Sequence, residues 1–245
     1  DGRSNGDDFD FDGEEFEATS LTLWRITRSV ERGLFKWRDF KDEMEVIIRS
    51  YRTHATKGDP RSQNCLAIMY NGGMGVKKDK AAALKYWEQA ASSNHILAQC
   101  SLGVLYEARR DHKSAVKWFQ RAAYQGEPQA QCNLGIAYHT GKKGVEKDVA
   151  KGIMWFERAA AQGNPQAAYN LGALNANGGS GVIRDMDKAV QYMRLAANQG
   201  HMKAAQSLEL MLGYIKKQQR EALKKQAEDE NTLSSITKSS HSGGA

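Results

Sequence analysis

The chain has 245 residues, 40% apolar and 26% charged, as in soluble globular proteins of one or two domains. No stretch approaches 18 consecutive apolar residues, which excludes a membrane-spanning helix on sequence grounds. The net charge of +6 is uneven: residues 1–18 hold eight acids and one Arg, so the remainder carries +13.

In chain order, residues 1–18 (DGRSNGDDFDFDGEEFEA) read as an acidic disordered tail. Phe9, Phe11 and Phe16 lie among its carboxylates, so contact with the chain's own basic body is one expectation for it. Residues 19–57 read as a degenerate helical pair broken near Gly33, LTLWRITRSVERGLF followed by FKDEMEVIIRSYRTHA. An atypical unit suits the end of a repeat array, where one face must meet water.

Residues 58–213 repeat. The strings WEQAASSN, WFQRAAYQG, WFERAAAQG and YMRLAANQG end at Asn94, Gly126, Gly163 and Gly200, which are 32, 37 and 37 residues apart. CLAIMY, SLGVLY, NLGIAY and NLGALN precede them, and GMGVKKD, KGVEKD and SGVIRD lie between. The units run over 58–94, 94–126, 126–163 and 163–200, with a partial fifth at 200–213. Because the Gly-Val stretch recurs, lacks the Walker pattern and follows no strand, it is a repeat loop and not a phosphate loop.

Apolar residues recur at helical spacing, as at Ala98, Leu102, Leu105 and Tyr106. Gly103, Gly135 and Gly172 each follow a core leucine, and a helical glycine costs about 1 kcal/mol in propensity. Close approach of the second helix of the same repeat is the expected reason. Pro60, Pro128 and Pro165 share one position after Asp59, Glu127 and Asn164, and read as first-turn prolines behind a cap. Asp79, Asp148 and Asp185 stand where the second helix needs its N-cap. Residues 214–230 then read as a polar capping helix, and 231–245 (NTLSSITKSSHSGGA) as a disordered tail.

These residues carry a family resemblance. The pattern of Ala167, Leu171, Gly172, Gly181, Val182, Asp185, Lys188, Ala189, Tyr192, Ala196, Ala197 and Gly200 resembles the Sel-one-like repeat, a relative of the tetratricopeptide repeat. The resemblance implies an all-α fold, a right-handed superhelical α-solenoid of stacked antiparallel helix pairs. Repeat two departs by using the short EARRDHKSA connection; repeat three has one extra loop residue. Asn175 replaces the tyrosine in repeat four, and Ser62 and Ala67 replace the first alanine and the helix glycine in repeat one.

No catalytic or metal-ligating constellation is present. The six histidines have no ligand spacing, and Gly178-Gly179-Ser180-Gly181 misses the nucleophile-elbow pattern at Val182. Trp87, Trp118 and Trp155 stand at helical spacing as core residues, and Cys100 and Cys132 as small packing residues. No enzyme activity, cofactor or metal is expected. Three cysteines give no disulfide framework, which points to a reducing intracellular compartment, the cytoplasm or an organelle matrix. The first residue is Asp, so a targeting segment ahead of it would go unread.

What the resemblance implies for function is a protein–protein interaction scaffold or adaptor. First helices of related repeats line a concave face, which here would present Arg61, Asn64, Ile68 and Asn71, then Cys100, Val104 and Glu107. Repeat three would add Gln129, Cys132, Ile136 and His139, repeat four Gln166, Tyr169 and Ala173, and the fifth unit Lys203 and Gln206. This mixed lining suits a peptide or helix of a partner protein. The alternative is an RNA-binding helical-repeat protein using its basic body.

Overall fold

The structure, a computed structural model, describes residues 11–34, 36–141, 145–179 and 181–241, with side-chain detail between residues 15 and 228. The helices fall into two units, residues 1–148 and 149–245. The first holds α1 (Phe11–Glu31), a 3-10 turn (Trp37–Phe40), α2 (Lys41–Thr56), α3 (Pro60–Gly72), α4 (Lys80–Ser92), α5 (Ile96–Ala108), α6 (His112–Tyr124) and α7 (Pro128–Thr140). The second holds α8 (Val149–Ala161), α9 (Pro165–Asn177), α10 (Met186–Asn198) and α11 (Met202–His241). Within each unit consecutive helices pack as antiparallel pairs, the architecture of an α-solenoid. Among the described residues no strand forms beyond one isolated bridge, Gly179 with Val182.

Helices α3 to α10 are each 13 residues long, and their ends are set by side chains. Asp59, Glu127 and Asn164 each accept a backbone N–H of the following first turn, with proline next in line. Asp79 and Asp185 cap α4 and α10 in the same way. One left-handed position ends the helix pair before each cap: Gly58, Gly126, Gly163 and Gly200 have φ between 85° and 97°, and Asn94 fills it at 61°.

The loop inside each repeat closes on one bond. The amide of Asp79, Asp111, Asp148 and Asp185 donates to the carbonyl of Tyr70, Tyr106, Tyr138 and Asn175, each at 2.9 Å. The anchor is backbone, so the loop length varies and Asn175 can replace a tyrosine. A second recurrent bond joins neighbouring repeats. Gln63, Gln99 and Gln131 donate Nε2–H to the carbonyls of Ala55, Ala91 and Ala123, and all three glutamines are buried. Each of these helix-end carbonyls also accepts a backbone amide, from Gly58, Asn94 and Gly126 respectively, so the glutamine adds a second, inter-repeat bond to it.

The core sits between the layers. Ile26, Met44, Ile47, Ile48, Tyr51, Leu66 and Met69 join α1, α2 and α3. Ala67, Ala83, Trp87, Ala90, Ala91, Ala98 and Leu102 join α3, α4 and α5. The alanine pairs let backbones approach, and the helical glycines do the same within a repeat. A Cβ on Gly103 would fall 2.5 Å from the Phe119 ring of α6, and one on Gly172 would fall 3.0 Å from Met193 Cγ of α10.

Both ends are more helical than the sequence reading expects. Residues 11–18 of the expected disordered tail form the start of α1, while residues 1–10, with Phe9, lie outside the described residues. The expected boundary at residue 214 and disorder from 231 give way to one helix reaching His241; residues 242–245 lie outside the described set. Propagation costs little once the docked first turns nucleate a helix, and residues 214–230 contain neither Gly nor Pro.

His95 caps α5, a role not read from the sequence. Its Nδ1 accepts the Ala98 amide at 3.2 Å, which requires that nitrogen to be unprotonated. Burial holds the imidazole below its ordinary value of 6.5; Asp59 opposes this and Arg61 adds to it. The folded chain therefore takes up this proton at lower pH than the unfolded chain. Stability from the cap is complete above the ordinary value and is lost as pH falls below it. A His95→Asn chain keeps a capping oxygen that does not titrate. Its melting temperature should fall less than the wild type's between pH 7 and pH 5, and equal falls would show that the cap does not titrate.

Candidate functional site

Aligned on their caps, the first helices α3, α5 and α7 present the same side-chain columns. Arg61, Leu97 and Gln129 form one, all exposed. Cys65, Ser101 and Asn133 form the next, half-buried. Ile68, Val104 and Ile136 form a third, with Ile68 41% and Val104 49% exposed and Ile136 half-buried. Three, four and seven residues separate neighbours on one helix face, so these columns share a surface. Asn71, Glu107 and His139 stand half-buried at its far edge. Leu97 is 52% exposed beside Val104, so the middle repeat offers two apolar side chains outward.

One expected column turns inward. Asn64, Cys100 and Cys132 are buried at 5%, 7% and 0%, and are not part of the accessible lining in the first unit. Asn64 Oδ1 accepts the Trp87 indole N–H at 3.1 Å, so its polar group serves the core of its own repeat. Burial pushes the Cys100 thiol up to about 12, with Glu127 adding to it, and burial alone does the same to Cys132. Both are thiols at neutral pH, which fits packing and not thiolate chemistry. Cys65 is likewise pushed up to about 11 by burial.

At the near end, α1 meets this surface. The Arg61 guanidinium carbon lies 4.5 Å over the Phe16 ring, and Arg61 Nε also donates to Asp59 Oδ1 at 3.3 Å. In the second unit the equivalent positions are Gln166, Tyr169 and Ala173 on α9, all half-buried, and Lys203 and Gln206 on α11, both exposed. His201 caps α11 by accepting the Ala204 amide at 3.1 Å. Its Nε2 lies 3.2 Å from Gln166 Oε1, and its ring stacks on Tyr169 at 4.6 Å. Gln166 and Tyr169 are therefore engaged within the fold. Two i,i+4 amide pairs recur in the outward columns, Gln129 with Asn133 and Gln166 with Asn170.

Sequence reasoning missed Leu97, Ser101 and Asn133. The signal was present: they occupy the columns of Arg61, Cys65 and their equivalents once His95 is aligned with Asp59 and Glu127. Periodicity does not show which of two neighbouring columns faces outward, and the adjacent column of Asn64, Cys100 and Cys132 fits the same helical spacing.

Among the described residues, no group of three or more His, Cys, Asp or Glu could hold a metal ion. No helix there is long and apolar enough to cross a membrane. The model of the Sel1 repeat matches residues 60–95, 96–127, 128–164 and 165–201, more than half of the chain. The chain belongs to the Sel1 repeat family.

Solved structures agree. A Sel1 repeat protein from Oxalobacter formigenes is 29% identical with a TM-score of 0.63, over 67% of this chain and 66% of that one. The protective antigen c5321 of uropathogenic Escherichia coli, described as displaying an SLR fold, is 30% identical with a TM-score of 0.66. That match covers 80% of this chain but 42% of the antigen, so the Sel1 repeat chain here spans less than two thirds of either relative's length. No protein of curated function matches it. Sel1 repeat proteins are generally interaction scaffolds and typically non-catalytic.

Proposed function

We propose that this chain is a non-catalytic scaffold or adaptor within a larger complex, holding a peptide or helix of a partner protein along the first-helix surface of its repeats. The observation that carries this reading is the outward apolar column of Ile68, Val104 and the half-buried Ile136, repeated at one helix position and widened by Leu97. An apolar row recurring from repeat to repeat, flanked by Asn133, Gln129 and Glu107, matches a segment with apolar side chains at intervals and a polar backbone to satisfy. A reducing compartment suits the three free cysteines. The nucleic-acid alternative draws no support. Trp87 and Trp155 are core residues at 5% and 2% exposure, and the outward column offers aliphatic groups where base edges would need hydrogen-bonding pairs.

The test is an affinity purification from native extract, with nuclease present, using the wild-type chain, an Ile68→Glu/Val104→Glu chain and a Tyr124→Glu control. Tyr124 is 74% exposed on the second helix α6. Two buried carboxylates facing an apolar partner should reduce the retained partners at least ten-fold while the control leaves them unchanged. Equal retention by all three chains would remove the first-helix surface from consideration.

A further inference from the structure

Glu15 and Phe16 are adjacent near the start of α1, and both reach the body of the first unit. Ser50 Oγ donates to Glu15 Oε1 at 2.9 Å, and His54 Nε2 lies 4.0 Å from Glu15 Oε2. The Phe16 ring is tilted against Tyr51 at 5.8 Å and lies 4.5 Å beneath Arg61. The receiving groups stand on helices: Ser50, Tyr51 and His54 on α2, and Arg61 in the first turn of α3. Asp59 holds the Arg61 guanidinium in place from the other side. A hydroxyl and an imidazole thus face a carboxylate, while a phenol ring and a cation flank an aromatic ring, each pairing with its chemical complement.

The helix that fills this cradle is lightly held. Ile26 is the one buried residue of α1 among those described, while Leu21 and Trp24 are 50% and 60% exposed. Beyond α1 the chain turns at Gly33, whose φ is +70°, and Leu34 is 65% exposed. Phe16, Leu23 and Val30 also pack on this core but stay partly exposed, and Ser20 Oγ lies 3.0 Å from the Tyr51 hydroxyl, so α1 opens at lower cost than the helix pairs behind it.

We propose that Ser50, Tyr51, His54 and Arg61 form an exchangeable acceptor site for a helical segment carrying an acidic residue directly followed by an aromatic one. Glu15–Phe16 fills this site in the free chain, and a partner segment of the same chemistry displaces it. The proposal rests on the reading that the first-helix surface receives partner proteins, because Arg61 belongs to both. Displacement of α1 also uncovers Arg61 at the near end of that surface, which couples partner entry to release of the acidic segment.

The probe is a dye-labelled peptide of residues 11–31 of this chain, titrated into full-length protein by fluorescence anisotropy. Phe16→Ala and Glu15→Gln each weaken the internal occupant. The Phe16→Ala chain should bind the peptide at least ten-fold more tightly than wild type, and the Glu15→Gln chain several-fold. Adding Arg61→Ala to Phe16→Ala should cancel the gain. Peptide binding no tighter in either variant than in wild type, with far-UV circular dichroism unchanged, overturns the proposal. Should Phe16→Ala lose the fold, Glu15→Gln decides alone. Hydrogen exchange in α1 as slow as in α2 of the wild type also overturns it. The two readings fail separately: a Phe16→Ala chain that gains no peptide affinity while the wild type still captures partners removes this proposal and leaves the surface standing, whereas a gain kept in a Phe16→Ala/Ile68→Glu/Val104→Glu chain supports the acceptor site independently of the surface.

Discussion

Gly103→Leu should destabilise the chain by about 2 kcal/mol, read as a lower urea midpoint at unchanged slope. The position lies on α5 facing Phe119 of α6. An added Cβ alone would stand 2.5 Å from Cδ1 and Cε1 of Phe119 and 3.0 Å from Cζ. No real Cβ tolerates that approach, and the ring cannot swing away because Phe119 is 1% exposed. Overpacking of this kind costs roughly 1–3 kcal/mol or more, against which leucine recovers about 1 kcal/mol of helix propensity. Gly172→Ala provides the contrast. Its neighbour is the flexible Met193 side chain at 3.0 to 3.2 Å, so the contact and the propensity gain should nearly cancel. Replacing Phe119 with leucine in a Gly103→Ala chain should recover part of the loss. A Gly103→Leu chain as stable as wild type would mean that α5 and α6 do not meet at this glycine.

Asn64→Ala should cost about 2 kcal/mol, although the residue stands in a column that the sequence assigns to the partner surface. Asn64 is 5% exposed and accepts the indole N–H of Trp87, itself 5% exposed. Removing the acceptor leaves a buried donor unpaired and a small cavity beside it. The pair should therefore be coupled. Trp87→Phe removes the donor, so adding Asn64→Leu to it should cost much less than Asn64→Leu alone, a double-mutant cycle readable by thermal melts. Neutral stability together with lost partner binding would return Asn64 to the surface and show the register to be wrong.

Sequence alone was enough for the repeat and its punctuation. A period of 32 to 37 residues, three prolines at one position and an aspartate before each second helix are local chemical signals. Each acts within a few residues of itself, and the caps at Asp59, Glu127, Asn164, Asp79 and Asp185 follow directly. The family resemblance and the all-α class came with them. The demand for small residues at Gly103 and Gly172 was also legible, since a helical glycine needs a packing reason.

Only the tertiary structure decided which face of each first helix is open. Columns at i and i+3 lie less than a turn apart, so Asn64 and Arg61 look alike in sequence; the second helix of the repeat buries one and leaves the other exposed. The glutamine column of Gln63, Gln99 and Gln131 was written in the alignment, but its meaning depends on a carbonyl eight residues earlier, in the preceding helix pair. The acidic segment shows the same limit. Its charge predicts solvation, yet Phe16 has Tyr51 and Arg61 to pack on, and those partners exist only once α2 and α3 have docked. Local chemistry determines where helices begin and end, whereas burial depends on neighbours brought together by the stack.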